Sequence, residues 1–236
     1  YLPCQELPGH EDALRRWAQA YPDIGFGVVL PRVVWDRELP RLRRELEAAR
    51  QAGVTQALLG HIGQLPLARS FGLIPRGDFG LGLTNDETAA ELARLGFASA
   101  TASFESRLAQ IRDLSKPLDL ELLVYGRLPL MLMEHCILRN RGQGCHCQDK
   151  PQSLGDRKGE HFPVESAWGC RNELFNAKPL WLADKTDWRT AGAAYARLAF
   201  LREGPGECAR VFRAYREGAG EPPRAFTRGL YYRGVE

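Results

Sequence analysis

The sequence predicts an α/β protein: a (β/α) barrel-like parallel sheet, short of a complete eight-stranded barrel, with a loop-rich cysteine insert and C-terminal helices. Two observations carry this. Between residues 25 and 126, a short apolar or β-branched run, a polar turn and a segment of helical period recur in that order. After Met131 the periodicity fades, and four cysteines fall between positions 136 and 170.

The predicted strands cover residues 25–31 (GFGVVLP), 55–60 (TQALLG), 77–84 (GDFGLGLT), 99–103 (SATAS) and 118–125 (LDLELLVY). Between them, helices are expected over 36–52, 64–71, 85–95 and 105–114. The first is the clearest, because Leu39, Leu42, Leu46 and Ala49 share one face while Arg and Glu fill the other. Asn85 ahead of Glu87 and an Ala/Leu run marks a helix start, and Gly96 closes that helix. Strands and helices alternating at this spacing form a parallel sheet with crossovers. Two tail helices are expected, over 188–202 and 207–217. The chain thus divides into a barrel-like domain (1–131), a cysteine-rich segment (132–185) and a helical tail (186–236).

With 44% hydrophobic and 26% charged residues, the chain can bury a sizeable core. A net charge of +3 permits contact with nucleic acid without arguing for it. No apolar run reaches the roughly 18 residues of a membrane helix. Residues 1–10 carry no secretory signal, so the chain reads as cytoplasmic, while its start at Tyr1 rather than Met is compatible with a fragment.

The cysteine spacing is Cys136-x8-Cys145-x-Cys147-x22-Cys170. Four thiolates suit a [4Fe–4S] cluster or tetrahedral zinc. Irregular spacing, without paired C-x2-C knuckles, leans toward the cluster. His135, His146 and His161 lie close enough to substitute for a thiol, which is the route to zinc. Cys4 and Cys208 stand alone and read as buried free thiols.

Four motifs occur here in order: YGRLPLM at 125–131, EHC at 134–136, DRKGEHFPV at 156–164 and CRNELFNAKPL at 170–180. With them the sequence resembles the collagenase-like peptidases, the unassigned peptidase family U-thirty-two. GDFGLGLTN at 77–85 and SFES at 103–106 extend the resemblance more weakly. It implies a barrel carrying a cysteine-bound [4Fe–4S] cluster on Cys136, Cys145, Cys147 and Cys170. It further implies oxygen-independent hydroxylation of RNA bases or of a small aromatic, ubiquinone-type precursor, some relatives drawing on prephenate. Peptidase activity on collagen is the family's older description. Departures are Pro129 where other branches have cysteine, a tighter C-x-C, Ser106 in place of Leu, and no Asp-x-Tyr pattern in a first strand.

A barrel carries its active site at the C-terminal strand ends. Arg32, His61, Asn85, Glu105, Tyr125 and Arg127 are expected there. Glu105, Arg127 and Tyr125 are the catalytic candidates; Arg171, Asn85 and His61 are candidates for holding a cofactor. Glu105 would shuttle a proton or orient a ligand, or else is a carboxylate favoured at a helix N-terminus. Arg127 and Arg171 would each grip a carboxylate or phosphate, or neutralise the cluster thiolates. Asp156 and Arg157 read as a turn with an internal ion pair; Asn176 and Lys178 match the family motif without a clear role. Neither G-x-S-x-G nor H-E-x-x-H is present, so peptidase chemistry has no motif behind it. A peptidase, and a non-catalytic subunit whose partner completes the barrel, are the alternatives.

Overall fold

A computed structural model describes residues 1–139 and 151–235. The chain forms two compact units, residues 1–106 with 110–121, and residues 107–109 with 122–236. The fold is mixed α/β with a mostly parallel sheet, in keeping with the sequence reading.

In the first unit, β1 (Leu2–Pro3), β2 (Gly27–Val29), β3 (Gln56–Leu59), β4 (Ile74–Gly77) and β5 (Ser99–Thr101) lie side by side in chain order and parallel. β5 pairs in parallel with the start of β6 (Asp119–Gly126), at Ser99 with Asp119 and Thr101 with Glu121. Helices α1 (Glu11–Ala20), α2 (Leu39–Gln51), α3 (Leu65–Ser70), α4 (Asp86–Arg94) and α5 (Leu108–Asp113) connect the strands. α2 buries Leu42, Leu46 and Ala49, the stripe read from its period, and keeps Arg50 and Glu47 outside as an exposed pair. Asn85 caps α4 by accepting from the Thr88 N–H at 2.9 Å.

Three expectations change. The third strand is Ile74–Gly77 rather than 77–84: Asp78 ends it by accepting from the Phe79 N–H, and a short 3-10 turn follows at Phe79–Leu81. The alternating glycines of that segment imitate a strand's period of two, but Gly82 takes a left-handed φ of 64°. Residues 188–202 are not a helix; a 3-10 turn at Asp187–Thr190 leads through left-handed Gly192 into strand β12 (Tyr195–Ala199). The alanines there carry no helix because β12 pairs with β6. That approach requires Gly126, where a Cβ would sit 2.1 Å from the Ala199 carbonyl oxygen.

The third change concerns the cysteine segment. Its described residues include strands that were not expected: β7 (Pro129–Met133), β8 (Gln152–Gly155), β9 (His161–Ala167) and β10 (Arg171–Phe175) form an antiparallel sheet ordered β7-β10-β9-β8. β11 (Leu180–Trp181) pairs antiparallel with the end of β6, and α6 (Pro205–Glu217) matches the expected last helix. No helix among the described residues is long and apolar enough to cross a membrane.

The core of the second unit is aromatic. Tyr215 packs its ring 5.5 Å from Trp181, 6.2 Å from Tyr125 and 6.0 Å from Trp188. Its hydroxyl accepts from the Leu182 N–H at 2.7 Å and donates to the Val124 carbonyl at 2.6 Å, so one oxygen ties α6 to β6 and to the residue after β11. Replacing Tyr215 with Phe keeps the ring but leaves two buried backbone groups unmet. We expect a loss of roughly 2–4 kcal/mol, read as a lower urea midpoint at unchanged slope.

Candidate functional site

Cys136 and Cys170 flank one strand pair. Met133, the last residue of β7, stands opposite Asn172 in β10. Cys136 therefore follows β7 by three residues, and Cys170 immediately precedes β10. Both are free thiols, Cys136 half-buried and Cys170 exposed. Cys145, Cys147 and His146 lie outside the described residues.

Three contacts fix these strand ends. Arg171, whose side chain is 2% exposed, clamps Glu134 with two bonds, Nε to Oε2 at 2.5 Å and Nη2 to Oε1 at 3.1 Å. Its Nη1 donates to the Trp168 carbonyl at 3.0 Å. Asn172 accepts the Ile137 N–H on Oδ1 at 2.8 Å, next to Cys136. Cys170 has a left-handed φ of 62°, alone among the described non-glycine residues. A side chain in that region costs roughly 1–2 kcal/mol, so the packing around it must hold it there. Two free thiols thus stand at adjacent, braced strand ends, and thiolates are the donor type that iron–sulfur clusters and structural zinc take; among the described residues no group of three or more His, Cys, Asp or Glu is placed to hold a metal ion.

The first unit offers a second polar assembly, running from the first residues of β3 and β5 toward the C-terminal ends of its parallel strands. Arg76 donates from Nε to Gln56 at 2.6 Å and from Nη1 to the Ser99 hydroxyl at 2.8 Å, linking β3, β4 and β5 on one face. Two residues on, the buried Thr101 hydroxyl sits 2.9 Å from buried Glu121 and 3.0 Å from the Gly77 carbonyl. At the strand ends, the Gln64 amide donates to the Pro31 carbonyl at 2.6 Å and accepts from the Gly60 N–H at 3.0 Å, which makes the loops after β2 and β3 one rigid piece. The Arg32 guanidinium lies 5.3 Å from the Phe79 ring centre, and Phe79 packs 5.2 Å from Phe104.

Of the residues expected there, Arg32 joins this array. His61 and Asn85 are spent on capping: His61 Nδ1 accepts from the Gly63 N–H at 3.1 Å, as Asn85 does from Thr88. Glu105 is exposed in the turn before α5, outside the helix, with its N–H bonded to the Ser103 hydroxyl at 3.2 Å. Sequence reasoning missed Arg76, Glu121, Thr101, Phe79 and Phe104. Polar residues at alternate positions of the last strand, Asp119 and Glu121 among leucines, were the available signal.

Tyr125 and Arg127 belong to the second unit and serve its architecture. Arg127 Nη1 donates to the Asn176 carbonyl at 3.0 Å and to that of Ala177, pinning the turn after β10. Asp156 caps its turn by accepting from the N–H groups of Lys158 and Glu160 at 2.8 and 2.9 Å. Glu160 pairs with Lys178 at 2.6 Å. Of the lone cysteines, Cys4 is buried as expected, and burial with the neighbouring Glu45 carboxylate pushes its thiol well above the ordinary range, whereas Cys208 is only half-buried, with its Sγ 3.5 Å from the Glu203 carbonyl.

Comparison with protein-family models, with curated proteins and with solved structures gives no match in any of the three.

Tyr125 donates its hydroxyl to Glu203 at 2.9 Å, and burial together with that carboxylate raises its pKa. Burial works against charge on Glu203. The N–H groups of Leu201 and Arg202, at 2.6 and 3.0 Å, and the Tyr125 hydroxyl outweigh it and hold the carboxyl below its usual value. A depressed carboxylate contributes stability above the unfolded-state pKa and loses it as pH falls through the folded value. Wild type should therefore lose stability more steeply than Glu203→Gln as pH drops toward the carboxylate range, measured by urea midpoints at successive pH values. The Arg171 clamp gives a second test. Glu134→Leu removes a carboxylate from a buried guanidinium and should cost about 3 kcal/mol or more, whereas Arg171→Met leaves a half-exposed carboxylate and should cost less.

Proposed function

We propose that this chain is an iron–sulfur protein that acts in, or supports, oxygen-independent hydroxylation of RNA or a small aromatic precursor. Cys136, Cys145, Cys147 and Cys170 would hold a [4Fe–4S] cluster. The observation that carries the reading is the pair of free thiols at adjacent ends of β7 and β10, braced by Arg171 and Glu134. The motif order that resembles the collagenase-like peptidases supports it from the sequence side.

A bound cluster supplies one-electron transfer. The chain's own part is to hold the thiols in register. Arg171 follows Cys170 directly, and its buried guanidinium, clamped on Glu134, ties the start of β10 to the end of β7. The clamp fixes the separation of the two strand ends before any metal arrives, so less ordering accompanies binding. A cytoplasmic, reducing setting fits this chemistry, since Cys4, Cys136, Cys170 and Cys208 are all unpaired. In the same reading, a partner subunit would complete the barrel.

Protein purified without oxygen should absorb broadly in the visible, bleach on reduction and contain iron and sulfide. Cys136→Ser or Cys170→Ser should remove most of that iron while leaving the folded aromatic core, followed by near-ultraviolet circular dichroism. A colourless protein that holds stoichiometric zinc replaces the cluster with zinc; full iron retention in both variants rejects these ligands.

A further inference from the structure

The second unit contains a cavity of about 360 Å³ that plays no part in the cysteine reading, set between the 3-10 turn at Asp187–Thr190, the start of β12 and α6. Its walls are Trp188, Tyr195, Phe212 and Tyr215, with Arg189 and Arg216 also lining it. Among the described residues that line it, none is acidic. We propose that this cavity binds a small planar aromatic carboxylate.

The chemistry of the walls selects that class. The polar atoms of Trp188 and Tyr215 are committed elsewhere. The indole N–H donates to the Leu182 carbonyl at 2.9 Å, and the Tyr215 hydroxyl is held by Leu182 and Val124. These two therefore offer the cavity ring surface rather than hydrogen bonds. Phe212, 56% exposed, and Tyr195, 40% exposed, present further ring surface that the fold leaves uncovered. Aromatic walls favour a flat, π-bearing ligand over an aliphatic one of equal size.

Charge then fixes the sign. Arg189 is held in place, its guanidinium 4.5 Å from the Trp188 ring centre and donating through Nη2 to the Tyr215 carbonyl. Those two contacts hold its side chain at the cavity wall. Arg216 stands four residues after Phe212 on α6, hence on the same helix face, so an aromatic wall and a cation are presented together. Two guanidinium groups without a lining carboxylate repel a cation and match a single carboxylate through charge-assisted bonds. The volume lies at the small end of ligand pockets, which suits one or two fused rings.

The site stands apart from the iron–sulfur reading and is tested without metal. Titration calorimetry of the metal-free full chain would use 2-naphthoate, its neutral amide, its ring-saturated acid and uridine monophosphate. We expect 2-naphthoate to bind, and the amide and saturated acid each to bind roughly tenfold more weakly or worse. Arg216→Gln and Phe212→Ala should each weaken 2-naphthoate by about the same factor. Both positions are exposed, and unchanged circular dichroism would confirm that the variants fold. Absence of binding, equal binding of the amide or saturated acid, affinity indifferent to both substitutions, or stronger binding of the nucleotide would each overturn the proposal. Loss of iron in the cysteine variants bears on none of these outcomes.

Discussion

A guanidinium removed from water must be met by acceptors, and Arg171 is almost wholly removed from water. Among its partners are Glu134, the residue after the neighbouring strand β7, and the Trp168 carbonyl from its own approach. These contacts hold the end of β7 to the start of β10, beside Cys136 and Cys170. A lysine could not reproduce this, because one ammonium does not present two parallel N–H groups to a carboxylate while a third reaches a carbonyl. The strain at left-handed Cys170 points the same way: a chain free to relax there would do so, and the braced ends do not allow it.

How far the sequence foretold this depends on whether a feature was local. α2 was legible because its apolar stripe is a property of thirteen consecutive residues, and burial of Leu42, Leu46 and Ala49 follows from the period alone. Asn85 as a helix cap was legible for the same reason. The strand at Ile74–Gly77 was not, since Pro75 and Arg76 obscure its alternation and the following glycines imitate one. The segment 188–202 was misread because an alanine-rich run favours helix, while pairing with β6 and close approach to Gly126 are set by residues some seventy positions away. Likewise the sheet of β7 to β10 hid behind a composition of Gly, Gln and Asp, and one of its three strand pairings, β7 with β10, joins strands separated by two others in the sequence.

The candidate residues divide by the same logic. Barrel reasoning locates strand ends but says nothing of what a side chain meets there. His61 and Asn85 meet their own following N–H groups, the commonest fate of a short polar side chain ahead of a helical turn. The assembly that does span several strands, Arg76 with Gln56 and Ser99, and Glu121 with Thr101, runs from the first residues of β3 and β5 up to the end of β5, on the alternate positions that face together. It became visible only once the register placed Ser99 beside both Arg76 and Asp119.

Tyr125 shows how a buried ring commits its polar atom. Its ring belongs to the cluster with Trp181 and Tyr215, and its hydroxyl donates to Glu203. The cluster, however, spends its polar atoms inward: Tyr215 on Val124 and Leu182, Trp188 on Leu182. Satisfying those atoms with backbone partners lowers the cost of burying these two amphipathic rings, whereas the buried Trp181 Nε1 has no partner among the described residues. Trp188 and Tyr215 therefore turn ring surface toward the cavity, beside Arg189 and Arg216. Cations seated on such a surface, as Arg189 is on Trp188, are held by the rings and by backbone carbonyls rather than by acids, and so their charge remains available to an anion from outside.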